Sequence, residues 1–288
     1  MDSRLAYTPA HRPTPVGIIA GSGDLPIKLV NACRQQGREV FIVAFEEQTD
    51  PDTVDNVPHI WIKLGALGKA FDALRTAGVQ EIVMAGKINR PKLSSLQPDM
   101  VSARLLKHIG TKLFTGDNSL LTSIIAFLET EGFQVIGVED VMREVLAPEG
   151  PLGKVMPNKQ AQRDIEIGVK VAHAIGAYDV GQAVIVKNGQ ILGVEAAEGT
   201  DGLIFRCAAL AGDGLGGVLV KAKKPYQDSR VDLPAIGIKT IENVHQAGFE
   251  GIAIEAGGSV VIDKKAVVNK ADALGIFLVG FTRTDFTE

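Results

Sequence analysis

From Val16 onward the apolar positions follow two alternating patterns: short unbroken runs rich in β-branched residues, and longer stretches with a single apolar face. Runs 16–20, 40–44, 60–64 and 82–85 read as buried strands. Stretches 25–36 and 67–77, closed by Gly37 and Gly78, read as helices, because glycine is the residue that most readily ends a helix in the left-handed conformation. Two further helical stretches follow at 100–109 and 118–131. The second is opened by Asp117 or Asn118 as cap and ended by Gly132, and 133–138 closes the sheet. Alternation of strand and helix predicts parallel strands joined by crossover helices, so residues 15–146 are expected to form a Rossmann-like α/β domain.

Residues 147–157 concentrate proline and glycine between two regular regions and are expected to be a linker. The pattern then changes. A helix over 159–175 precedes strands 183–187 and 190–196, which flank Asn188-Gly189, the strongest short hairpin signal. Strands over 218–222 and 251–254 have helical stretches nearby. Residues 158–288 are therefore expected to form an α+β domain with a mixed sheet, and residues 1–14, which lack an apolar centre, a flexible tail rather than a signal peptide.

Composition narrows the function. At 288 residues the chain has material for two ordinary domains, and 45% hydrophobic residues with a mean hydropathy of +0.15 argue against a disordered chain. Thirty Lys and Arg against 34 Asp and Glu give a net charge of -4, so no overall basic field exists to hold a nucleic-acid backbone. Cys33 and Cys207 form no Cys-x-x-Cys pair, the usage of a reducing compartment, and the cytoplasm is the expected location. No apolar run reaches the roughly 18 residues of a membrane-spanning helix.

Gly21-Ser22-Gly23-Asp24-Leu25-Pro26 follows the first strand and opens the first helix, where backbone N–H groups and the helix dipole receive phosphates. The third glycine of a dinucleotide fingerprint would fall at Pro26 and is missing, so a tight turn that merely needs glycine explains the segment equally well. Lys87 and Arg90 follow the fourth strand, at a carboxyl end where ligands of open α/β sheets collect, and either contact an anion or are solvated loop cations. Asp117 and Asn118 are candidates of the same kind, with helix capping as the alternative.

The richest region is C-terminal. Glu195-Ala-Ala-Glu198-Gly199-Thr200-Asp201 places three carboxylates and a hydroxyl at a strand end, the hard oxygen donors that suit Mg²⁺. Lys221-Ala-Lys223-Lys224-Pro225-Tyr-Gln227-Asp228-Ser-Arg230-Val-Asp232-Leu-Pro234 then mixes cations and carboxylates in an irregular stretch broken by two prolines. Cations neutralise phosphate oxygens while a carboxylate holds a metal or aims water, so this mixture suits phosphate chemistry. Glu255-Ala-Gly257-Gly258-Ser259 adds a carboxylate at another strand end. A complete Walker A sequence, His-Glu-x-x-His and Gly-x-Ser-x-Gly are all absent, and His11, His59, His108, His173 and His245 show no ligand spacing.

Taken in order, Ile18-Ile-Ala-Gly21-Ser-Gly23-Asp-Leu-Pro26, Ala85-Gly86 with Arg90-Pro91, Gly116-Asp117-Asn118, and the two C-terminal motifs resemble the LpxI family of UDP-2,3-diacylglucosamine pyrophosphatases of lipid A biosynthesis. The resemblance covers nearly the whole chain after residue 15. It implies a Rossmann-like N-terminal domain with a distinct C-terminal domain. It also implies Mg²⁺-dependent hydrolysis of UDP-2,3-diacylglucosamine to UMP and 2,3-diacylglucosamine 1-phosphate (lipid X), with water attacking the β-phosphorus. Carried over by position, Asp232 is the indispensable residue, with Arg230 and Asp228 beside it. The same resemblance implies that Lys221, Lys224, Gln227, Thr200, Gly21, Gly23, Lys87, Arg90, Asp117 and Asn118 contact substrate, and that Asp232, Glu195 and Asp201 hold the metal. A homodimer in peripheral contact with the cytoplasmic face of the inner membrane is implied as well. A non-catalytic lipid or nucleotide-sugar carrier and a nucleotide-dependent oxidoreductase remain the competing readings.

Overall fold

A computed structural model describes residues 14–89, 98–110, 117–212, 214–225, 227–230 and 233–282, the side chains of Asp117 and Asn118 excepted. By contact the chain divides into two compact units. One runs to His108 and takes in Ile125–Ile136; the other takes in Ile109–Ile124 and continues from Gly137.

The first unit is built on five strands: β1 (Val16–Ala20), β2 (Val40–Phe45), β3 (His59–Ile62), β4 (Glu81–Ala85) and β5 (Gln134–Ile136). Their order is β3-β2-β1-β4-β5 and every pairing is parallel, the Rossmann arrangement. The alternation of strand and helix in the sequence forces this, since parallel neighbours need a crossover between them. Helix α1 (Asp24–Gln35) links β1 to β2, and α2 (Leu67–Thr76) links β3 to β4. Gly37 and Gly78 close them at φ 68 and 72, as expected from sequence. Helices α3 (Met100–Ile109) and α4 (Asp117–Thr130) precede β5. Ile18, Leu29, Ile42, Phe71, Leu74 and Ile82 are fully buried and fill the core of this unit.

From Gly137 the second unit carries α5 (Val138–Val141), β6 (Gly150–Pro151), α6 (Lys159–Ala177), β7 (Ala183–Lys187), β8 (Gln190–Val194), α7 (Gly199–Ala208) and β9 (Val218–Lys221). It continues with β10 (Ala235–Ile236), α8 (Ile238–Gln246), β11 (Gly251–Glu255), β12 (Val260–Val261), α9 (Lys264–Leu274) and β13 (Phe277–Phe281). Six strands form one mixed sheet in the order β6-β13-β11-β9-β7-β8, with β9, β11 and β13 parallel and β6, β7 and β8 antiparallel to their neighbours. Strands β10 and β12 form a separate parallel pair. Alternation along the strands divides two cores. Val184, Val186, Val220 and Ala253 meet the apolar stripe Ala161, Ile165, Val169 and Ala172 of α6. Ile185, Leu219, Ile252 and Leu278 pack with Leu203, Ile241, Val244 and Val267 of α7, α8 and α9. Asn188 and Gly189 form the β7–β8 turn at φ 53 and 79, and the buried carboxylate of Asp164 accepts both of their N–H groups at 2.8 and 2.7 Å.

Residues 147–157, expected to be a linker, are hydrogen-bonded into this unit. Ala147 N donates to Ser259 O at 2.9 Å, Leu152 N donates to Leu278 O at 2.9 Å, and β6 pairs with β13. Proline and glycine here serve a short edge strand. No helix among the described residues is long and apolar enough to cross a membrane.

Candidate functional site

At the carboxyl edge of the first sheet, β1 and β4 are the adjacent strands whose crossovers leave in opposite directions, the place where open α/β sheets collect ligands. The loops leaving them are joined to each other. Gly21 N donates to Ala85 O at 2.8 Å, Ser22 N to Lys87 O at 2.9 Å, and Lys87 N to Ser22 O at 3.0 Å. The contact needs glycine: a Cβ on Gly21 would stand 2.5 Å from Lys87 O, and one on Gly86 would stand 2.7 Å from Gly21 C. Gly23 N donates to Asp50 Oδ2 at 2.6 Å, so the anion that suits the start of α1 is supplied by the chain. Asp99 does the same for α2, accepting from Gly68 N at 2.7 Å through Oδ2, and also serves the start of α3, accepting from Ser102 N at 2.7 Å through Oδ1. Burial would raise the pKa of Asp99, but the N–H groups of Ser102 and Gly68 outweigh it and hold the carboxyl below its ordinary value. Gly21 and Gly23, expected to receive substrate through their N–H groups, thus spend those groups internally. Lys87 is exposed, and Arg90 lies outside the described residues.

The second sheet brings different material to one edge. Pairing sets Ala183 opposite Lys221 and Ile254 beside Lys221, so the segments around Gln182, Glu195, Lys221 and Glu255 lie in neighbouring rows. Glu195 is buried at 6% exposure; its Oε2 accepts from Gln182 N at 3.0 Å and its Oε1 from Thr200 Oγ1 at 2.7 Å. Asp201 turns to α8, where Asn243 Nδ2 donates to its Oδ1 at 2.8 Å and Lys239 Nζ is 3.4 Å from its Oδ2.

The loop after β9 is held at several points. Lys221 Nζ donates to Ala235 O at 3.0 Å, and Lys223 N donates to Glu255 Oε2 at 2.8 Å. Lys224 Nζ donates to Asp179 Oδ1 at 2.6 Å. The buried Gln227 donates its N–H to Lys224 O at 3.1 Å and accepts from Lys224 N through Oε1 at 3.2 Å. Asp228 receives Arg230 as a fork, Nε to Oδ1 at 2.9 Å and Nη2 to Oδ2 at 2.7 Å, and this pairing holds the Asp228 carboxyl below its ordinary pKa. On α5, burial pushes the Glu139 carboxyl above its ordinary value, and the charges of Asp140 and Asp228 add to this while that of Lys223 opposes it. Beyond the loop, Val260 N donates to Pro234 O at 2.7 Å, which ties the segment entering β10.

The structure therefore brings Lys221, Lys224, Gln227, Asp228 and Arg230 together in one loop, with Glu195 and Thr200 at the same sheet edge. Asp232 lies outside the described residues, as do the side chains of Asp117 and Asn118, although α4 begins at Asp117. Glu195 and Asp201, expected to hold the metal with Asp232, each accept hydrogen bonds from protein groups, and among the described residues, which leave out Asp232, no group of three His, Cys, Asp or Glu side chains is placed to hold a metal ion. Sequence reasoning did not single out Asp179, Gln182 or Glu139. Their signal is tertiary: each takes its place through partners distant in the chain.

A Rossmann-order parallel sheet followed by a mixed sheet with a cation- and carboxylate-bearing loop defines a two-domain α/β protein whose charged edge suits anionic ligands. Residues 15–145 match the LpxI N-terminal domain model and residues 148–279 the LpxI C-terminal domain model. The chain is 40% identical over 271 residues to the UDP-2,3-diacylglucosamine pyrophosphatase LpxI of Caulobacter vibrioides, an alignment covering 92% of this chain and 96% of that protein. The chain belongs to the LpxI family.

Proposed function

We propose that the protein hydrolyses UDP-2,3-diacylglucosamine to UMP and lipid X, with water attacking the β-phosphorus. The reading is supported above all by 40% identity to the Caulobacter vibrioides pyrophosphatase across nearly the full length of both chains. The second sheet's edge agrees with it chemically, because a diphosphate needs its charge neutralised and its attacking water aimed in line. Lys221, Lys224 and Arg230 supply the cations. One of the three N–H groups of Lys224 goes to Asp179, which fixes the ammonium while leaving other donors for phosphate oxygens. Asp228 orients Arg230 through their forked pair. Asp232 is the carboxylate that aims and deprotonates the water, an assignment that rests on the family motif. Gln227 and Thr200 stiffen the loops around the diphosphate.

A requirement for Mg²⁺ rests on the family resemblance. Two acyl chains of the substrate carry about 0.8 kcal/mol per CH₂ exposed to water, so peripheral contact with the inner face of the inner membrane is proposed with the activity. Cytoplasmic location and a homodimer belong to the same proposal; sedimentation velocity tests the dimer.

The test is UMP release from UDP-2,3-diacylglucosamine with Mg²⁺, with excess chelator, and in H₂¹⁸O. UMP with Mg²⁺ alone, and ¹⁸O in the phosphate of lipid X, are expected. Label in UMP would move the attack to the α-phosphorus. Substrate bound but never cleaved would favour the carrier reading.

A further inference from the structure

The C-terminal end of α6 closes in an arrangement that glycine usually occupies. Asp179 N donates to Gly176 O at 3.1 Å and Val180 N to Ile175 O at 3.1 Å, the double hydrogen bond of a left-handed helix stop, with Asp179 at φ 55. Asparagine and aspartate tolerate this conformation better than other side chains, but glycine carries no penalty there. A carboxylate is also the wrong charge for the place, because the carbonyl end of a helix favours cations and repels anions. Asp179 is thus disfavoured locally in backbone conformation and in charge.

Its surroundings explain its presence. Gly176, one turn earlier, lets the loop after β9 press onto the helix: a Cβ there would stand 3.3 Å from Lys224 Cα and 3.3 Å from Pro225 Cδ. That approach brings Lys224 Nζ to 2.6 Å from Asp179 Oδ1, with the lysine side chain only 10% exposed. Lys224 is in turn fixed at its backbone by Gln227. A buried ammonium held between a loop and a helix end has little freedom, and a preset cation loses little on meeting a phosphate.

We propose that Asp179 is a positioning residue of the hydrolytic site, acting through Lys224 by setting where its ammonium meets the diphosphate. The inference rests on the proposed hydrolase reading and adds a residue to it.

The experiment is a double-variant cycle on the full chain with Asp179→Asn, Lys224→Gln and the two combined, reading kcat and KM for UMP release and the melting temperature. Asp179→Asn keeps the left-handed turn and an acceptor oxygen but removes the charge, so the fold is expected to survive. It should lower kcat/KM about 10- to 100-fold, the scale of a misplaced catalytic group. The double variant should be no worse than Lys224→Gln alone, because both changes remove one interaction. Losses that multiply, or Asp179→Asn turnover within twofold of the unmodified protein, would overturn the proposal. If Asp179→Asn melts early, Asp179→Gly, which removes the carboxylate and the turn penalty together while keeping Lys224, replaces it. A stable protein with kcat/KM lowered at least tenfold then supports the inference, and one with turnover within twofold of the unmodified protein overturns it. If the unmodified protein releases no UMP, the hydrolase reading fails, and titration of the same proteins with inorganic pyrophosphate decides. Equal weakening in single and double variants supports the role of Asp179; unchanged affinity in Asp179→Asn refutes it.

Discussion

At the carboxyl edge of the first sheet, the loops after β1 and β4 hydrogen-bond to each other, and the starts of α1 and α2 receive carboxylates from Asp50 and Asp99. At the corresponding edge of the second sheet, the loop after β9 gathers Lys221, Lys223, Lys224, Asp228 and Arg230 within ten residues, each anchored by a partner on another segment or by a neighbour in the loop. Both edges are built from motifs that suit phosphate. The difference is who supplies the counter-charge. A glycine turn at a helix start attracts any anion, and where the chain provides one the N–H donors are already engaged. In the loop after β9 the cations are held by acceptors of the chain, and Lys224, which gives one donor to Asp179, is an ammonium with three. The two edges therefore predict opposite responses to substitution, stability in the first and turnover in the second.

The largest effect is expected at Asp232, whose role rests on the family motif. Asp232→Ala should lower UMP release by about 10³-fold, the scale seen when an electrostatic or water-positioning group is removed, with the melting temperature preserved. In the first edge, Gly21→Ala should destabilise by about 2–3 kcal/mol in urea unfolding, because its methyl would meet the Lys87 carbonyl and the backbone must separate. Glu195→Ala sharpens the contrast from within the second unit. It leaves Gln182 N and Thr200 Oγ1 without their acceptor and should cost about 2 kcal/mol. Asp50→Ala should cost about 1 kcal/mol, the usual worth of a carboxylate at a helix start, and leave kcat per folded molecule within about twofold.

The smallest effects are in pH. Arg230 holds Asp228 below the ordinary aspartate value of 3.8, so the stabilisation from this pair is complete above 3.8 and is lost as pH falls through the lowered folded value. Glu139 behaves oppositely. Burial raises it above the ordinary 4.5, so its favourable contribution is present below 4.5 and disappears as pH rises through the raised value. Glu139→Gln should accordingly melt above the unmodified protein at pH 7, and the gap should close as the pH falls from the raised value toward 4.5, measured by thermal unfolding across pH.

The sheet of the first unit was legible because each buried strand is a β-branched run with turn residues at both ends, and the Asn188-Gly189 hairpin because its turn needs positive φ at both positions. Strands β6, β10 and β12 were not, since two-residue strands exist only through their partners. Strand β13 escaped too: Phe277–Phe281 is apolar but carries Gly280, and its place is set by β11 and β6. In the candidate site the motif residues of the loop after β9 could be named from sequence because they adjoin one another. The partner of the glycine turn was not legible, because Asp50 is 27 residues from Gly23 and nothing local announces their contact. Asp179 stayed unseen for the same reason, meeting Lys224 across 45 residues.

The most direct test of the account is UMP release by Asp232→Ala and Asp50→Ala measured beside the unmodified protein, with melting temperatures for all three. The account predicts turnover lost and stability kept in Asp232→Ala, and turnover kept with some stability lost in Asp50→Ala. Full turnover in Asp232→Ala, or its loss in a folded Asp50→Ala, would contradict it.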